Sequence, residues 1–219
     1  MTKLDEIAVN TELVLISLIE GVALVTLAEQ AVEVMHSPDW LQFVPYILAG
    51  LSVLLVFWAQ SILHAVSFIR WPIRIEHTFL YFVSAFLQIL IYSSLTDVER
   101  WFFWSSLFSI VALVMYSLDL KILRESRAQF VGLPSGAEYL QSVEDRHVFE
   151  MRFLVPLALL FNVCALAIVY FYPAWFSSPL AYALPGLLQF VVSLGALYDC
   201  TQNFRQRSAM IAKLFARES

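Results

Sequence analysis

Residues 13–35 read LVLISLIEGVALVTLAEQAVEVM. The stretch is long and apolar enough to cross a hydrocarbon core of about 30 Å, yet it holds Glu20, Glu29 and Glu33 and no Lys or Arg. A carboxylate at bilayer depth costs at least about 2.5–3.5 kcal/mol on insertion scales. Glu20, and with it Glu29, is therefore expected to be protonated, hydrated or hydrogen-bonded to another helix. Such a helix belongs to a bundle with a polar interior.

The rest of the chain has the same character. Of its 219 residues, 60% are hydrophobic and 14% charged, against about a quarter charged in soluble domains. The apolar residues fall into six blocks of about twenty, each matched to the hydrocarbon core. The fold class read from this is all-α: a polytopic integral membrane protein with six transmembrane helices in one bundle and short loops. The spans are placed at about 12–35, 46–69, 75–95, 101–122, 148–172 and 180–200. Pro45 suits the first turn of the second, and Pro185-Gly186 predicts a kink in the sixth. The only sizeable loop, 128–147, carries capping-box spacing at Ser135 to Glu138 and predicts a surface helix over 137–146. Residues 201–219 form a basic amphipathic tail whose Arg205, Arg207, Lys213 and Arg217 suit an anionic cytoplasmic leaflet.

Charge sets the orientation. With the N-terminus inside, twelve of the thirteen Lys and Arg residues fall on inner segments and only Arg100 lies outside. That bias places both termini in the cytoplasm, in a plasma or bacterial inner membrane. Residues 1–10 are acidic with only Lys3, so no cleaved signal peptide is expected. The basic residues sit at span ends rather than in a patch, which argues against nucleic acid as a partner. Cys164 in mid-span and Cys200 near a membrane edge suggest no disulfide. SLIEGVALV at 17–25 and SLFSIVALV at 106–114 share six of nine residues on spans of opposite direction, the relation an inverted three-plus-three repeat would produce.

Helical spacing gathers the polar residues into stripes: Gln60, His64 and Ser67; His77, Tyr81, Ser84, Gln88 and Tyr92; Ser105, Ser109, Tyr116 and Asp119; Gln189 and Ser193. Lipid cannot satisfy these groups, so they should face the bundle interior. At 1.5 Å per residue Glu20 lies about 10 Å deep and His64 about 8 Å, with His77 somewhat shallower. A carboxyl and an imidazole at matched depth can share a proton or lock spans together. Glu29 and Glu33 could form an acidic outer mouth that concentrates cations. Asp119 and Asp199, near Lys121, Arg124 and Arg205, read as interfacial ion pairs. The candidates for a pathway or proton coupling are Glu20, Glu29, His64, His77, Gln60, Gln88 and Asp119.

No HExxH, GxSxG, CxxC or phosphate-binding glycine loop occurs, so an enzyme is not the favoured class. Haem would need His64 and His77 on one iron, a demanding geometry for adjacent helices, and no cofactor is expected. Glu20-Gly21-Val22, and Trp58 followed by His64, resemble one six-helix unit of the potassium channels whose repeats open on a Phe-Ser-Asp motif. Leu18-Ile19-Glu20 stands where that motif would be, and Val14 where those channels carry an arginine, so the chain is not assigned to them.

Dense intramembrane polarity without an enzymatic motif points to a channel or transporter-like protein moving a small cation or protons, as a homo-oligomer. The alternative is a non-catalytic accessory or assembly subunit of a larger membrane complex, docking through 128–146 and 201–219.

Overall fold

The computed structural model describes residues 3–67, 75–126 and 134–218. It is all-helical, with no strand among the described residues. The helices are α1 (Lys3–Met35), α2 (Val44–Ser67), α3 (Ile75–Ser93), α4 (Val98–Ser126), α5 (Pro134–Phe149), α6 (Val155–Phe171) and α7 (Pro179–Glu218). Among the described residues, five helical stretches are long and apolar enough to cross a membrane: Leu13–Met35, Trp40–Leu63, Val98–Glu125, Glu138–Phe171 and Pro179–Met210. Thr78–Ser93 within α3 is a shorter apolar helix. Large apolar side chains such as Leu18, Phe86, Phe171, Leu180 and Tyr198 are exposed along these helices, as fits a protein whose solvent is lipid.

Local chemistry explains the helix ends. Asp97 Oδ1 accepts from the Arg100 N–H at 3.0 Å and caps the first turn of α4. Ser178 Oγ accepts from the Ala181 N–H at 3.3 Å ahead of α7, and Pro179 supplies its first turn. Between α5 and α6, residues Glu150–Leu154 form a π turn in which the Val155 N–H donates to the Glu150 carbonyl. Pro156 accounts for it: the ring has no N–H to offer and would crowd the carbonyl four residues back, so the turn widens. Helix α7 continues through Pro185.

Helices α6, α4, α3, α1, α2 and α7 pack in that order around the bundle, and α2 against α7 is the most extensive pair. The Gln189–Asn162 hydrogen bond (3.4 Å) joins α7 back to α6. The main core is centred on Tyr46, with Phe43, Trp101 and Phe102. Gly186 allows the α2–α7 approach, because a Cβ there would lie 2.9 Å from the Tyr46 ring. The Tyr46 hydroxyl donates to the Tyr182 carbonyl at 2.8 Å and closes the same contact.

The helix expected to lie at the surface over 137–146 is instead the start of a rod that runs through the π turn into α6. It buries Tyr139, Leu140 and Val143 against Ile122 and Leu123 of α4, with Met210 of α7 beside them. The tail continues α7 without a break, and Arg207 turns inward rather than toward a leaflet. Trp101, in the first turn of α4, is a core residue, 1% exposed. Residues 68–74, between α2 and α3, lie outside the described residues.

Candidate functional site

A cavity of about 230 Å³ fills the centre of this ring. It is lined by α2, α3, α4, α6, α7 and the π turn, from Gly50, Tyr92 and Trp101 at one end to Asp119, Glu150 and Asp199 at the other. Trp101 and Asp119 lie on one helix, so the ends are about 27 Å apart at 1.5 Å per residue. Most of the wall between them is carbon, from side chains such as Val56, Phe57, Phe108, Phe161 and Val192.

The polar groups on the wall are largely joined to one another. Trp101 Nε1 donates to Gln189 Oε1 at 2.7 Å, and Gln189 Nε2 donates to Asn162 Oδ1 at 3.4 Å. Asn162 Nδ2 in turn reaches Ser109 Oγ at 3.2 Å and the Ser105 carbonyl at 3.4 Å. This ladder ties α4, α7 and α6 together, and each such contact is worth about 0.6 kcal/mol in a membrane. Its amides are buried, and their dipoles give the apolar cavity a polar stripe.

A second chain starts at Glu20, which is 4% exposed. Gln88 Nε2 donates to Glu20 Oε1 at 3.3 Å, while Glu20 Oε2 has no hydrogen-bond partner. The Tyr92 hydroxyl lies 3.1 Å from both Gln88 Oε1 and the Gly50 carbonyl, and its single proton can serve one at a time. Gly50 admits this approach, since a Cβ there would meet Tyr92 at 3.1 Å. The chain pins α1 to α3 and α3 to α2. Glu20 is not part of the cavity wall, but Tyr92 is.

The end of the cavity opposite Trp101 holds a charged cluster. Arg146 Nε donates to Glu150 Oε1 at 2.8 Å, and another nitrogen of the same guanidinium pairs with Asp199 on α7. Asp119 Oδ2 lies 3.7 Å from His147 Nε2, with both side chains buried. The His147 ring packs at 5.1 Å on Tyr116. Arg207 is also buried here, within the field of Glu150 and Arg146. Glu150 is 2% exposed, and its Oε2 has no hydrogen-bond partner. An unmade bond to a buried acceptor costs about 1–3 kcal/mol and more for a charged one, so this oxygen is energetically unfinished.

The sequence candidates are thus divided. Gln60 and Asp119 line the cavity. Glu20 and Gln88 bond to each other beside it. Glu29 is exposed on α1. The side chains of His64 and His77 lie outside the described residues, and with them the Glu20–His64 pair and a bis-histidine haem. Asp119 lies 3.7 Å from His147, Asp199 pairs with Arg146, and Arg124 pairs with Glu144 at 2.9 Å. Cys164 and Cys200 are both free thiols. Among the described residues no three His, Cys, Asp or Glu side chains are grouped to hold a metal ion.

Sequence reading passed over Glu150, Arg146, His147 and Asn162. Asn162 is the one amide in the apolar run 153–170, a detectable signal. Arg146 and Glu150 stand four apart with Pro156 beyond, but only a helix continuing through 147 puts them on one face. Compared with known protein families, curated proteins and solved structures, the chain matches none.

Proposed function

We propose that the chain is a six-span integral membrane protein that moves a small cation or protons through the cavity between α2, α4, α6 and α7. The observation that carries this reading is the cavity itself, which ends on Asp119, Glu150 and Asp199. Carboxylates at one end of a low-dielectric passage raise local cation concentration. Helix α3 serves as the remaining span, since its nineteen residues reach about 28 Å at 1.5 Å per residue. The positive-inside bias puts both termini, and therefore the acidic end, on the cytoplasmic side of a plasma or bacterial inner membrane. Tyr92 and Trp101 at the other end form a plug that must move for passage. Glu20 and Gln88 serve to hold α1 and α3 and touch the passage only through Tyr92.

A liposome assay of monovalent-cation and proton flux tests this. Flux lost in Asp119→Asn and Glu150→Gln and retained in Glu29→Gln supports it, and a flat trace from folded, oriented native protein rejects it.

The accessory-subunit reading draws support from α1. Gly21 on this helix has nothing within 4 Å of its Cβ position, and Ser17 and Glu29 are exposed along the same groove. Small residues let helices approach closely in membranes, so this face suits a second copy or another subunit. Sizing in detergent separates a homo-oligomer from a chain that runs alone.

A further inference from the structure

We infer that the cavity accepts an organic cation, a primary ammonium carried on an apolar body of about six heavy atoms, with the ammonium seated at Glu150. The inference rests on the cavity being the passage proposed above and narrows its cargo.

The wall argues first. A bare inorganic cation needs a ring of oxygens to replace its hydration shell. The amides of Gln189 and Asn162 are committed to each other and to Trp101, Ser105 and Ser109. What remains along the passage is mainly carbon from Phe57, Phe108, Phe161, Leu154 and Val192. That surface favours alkyl or aromatic groups and leaves a stripped metal ion poorly solvated.

The inner end supplies the charge. Three carboxylates (Asp119, Glu150 and Asp199) face two guanidiniums (Arg146 and Arg207). Counting these five side chains alone, the formal charge sums to −1, which favours an arriving cation over an anion. Arg146 occupies only Oε1 of Glu150, while Oε2 is buried without a hydrogen bond on a residue that lines the cavity. An ammonium has three donors, and one of them on Oε2 would finish this carboxylate. Tyr116, whose ring packs on His147, stands beside Glu150 in the same wall. The π turn holds Glu150 in this position, and such turns recur at functional sites.

The volume sets the size. At roughly 30 Å³ for each water, the 230 Å³ cavity has room for about eight water-sized groups. Hexylammonium, with a six-carbon chain and one nitrogen, fits within that volume.

The test compares hexylammonium with 1-hexanol and hexanoate, which share its chain and differ in charge. Binding is read as ligand-dependent thermal stabilisation of the full chain in detergent, alongside inorganic-cation and proton flux in liposomes. We expect hexylammonium to bind at least ten-fold more tightly than either comparator. Glu150→Gln should bring amine and alcohol to near parity, and Ala158→Phe, which fills the cavity, should abolish binding of both. Equal binding of amine and alcohol by the native chain overturns the inference, as does an amine preference undiminished in Glu150→Gln. If Glu150→Gln does not fold, the native comparison and Ala158→Phe decide, and amine binding undisturbed by Ala158→Phe overturns it. Flux without amine preference overturns the inference and leaves the passage standing. Amine preference without any flux keeps the binding site and rejects the passage.

Discussion

Arg146 Nε donates to Glu150 Oε1 at 2.8 Å across the last α turn before the π segment. The same guanidinium pairs with Asp199 of α7, so one side chain ties the α5–α6 rod to its neighbour. Breaking a buried pair by removing one partner leaves an uncompensated charge and costs about 3–5 kcal/mol. Arg146 is partly exposed, so Arg146→Ala should destabilise by the low end, about 3 kcal/mol. Adding Glu150→Gln should recover part of that loss, because the deeper of the two carboxylates left by the guanidinium is then neutral. Unfolding of the single and double variants in detergent measures both, and strictly additive effects would refute the coupling.

Gly186 should be intolerant of a methyl group. Its Cβ would lie 2.9–3.0 Å from ring carbons of Tyr46, and overpacking of this kind costs about 1–3 kcal/mol. Gly195, with nothing within 4 Å, serves as the control: alanine there should be neutral or stabilise by up to about 1 kcal/mol through helix propensity. Equal melting temperatures for the two alanine variants would contradict the close α2–α7 contact.

For Glu20 the outcome should depend on which partner is changed. Glu20→Gln keeps a side chain of the same shape opposite Gln88, and should alter stability by less than about 1 kcal/mol. Gln88→Leu leaves a buried carboxyl with neither oxygen bonded and should cost about 1–3 kcal/mol. Glu20 lies outside the cavity wall, so Glu20→Gln should retain cation flux where Glu150→Gln loses it. Loss of flux, or of its pH dependence, in Glu20→Gln alone would move the passage to α1.

Orientation can be read without a functional assay. Cysteines placed at Ser37 and Asp97 should react with an impermeant reagent on intact cells, and those at Ser135 and Ser208 only after permeabilisation. Reaction of the Ser135 variant from outside would reverse the topology and with it the side on which the acidic end opens.

The all-helical class and most long apolar helices were legible in the sequence, because each depends on local quantities. Hydropathy over about twenty residues marks a segment that lipid can hold, and a helix satisfies its own backbone whatever surrounds it. Helix boundaries at Asp97 and Ser178 are likewise carried by residues within one turn. The burial of Glu20 also followed from its own segment, since a carboxylate in an apolar run has to find a partner.

Which partner it found was a tertiary matter. Gln88 is 68 positions away, and only the packing of α1 on α3 selects it. Trp101 and Gln189 stand 88 positions apart, and packing alone likewise makes Trp101 the cap of a cavity. In the sequence Arg146 and His147 close the loop 128–147, and Glu150 stands in the first turn of the fifth span. They join one cluster because α5 continues through a π turn into α6 and meets the Asp119 and Asp199 ends of α4 and α7. Helical periodicity shows which residues share a face, but that face takes its neighbours from the way helices far apart in the chain close around a common centre.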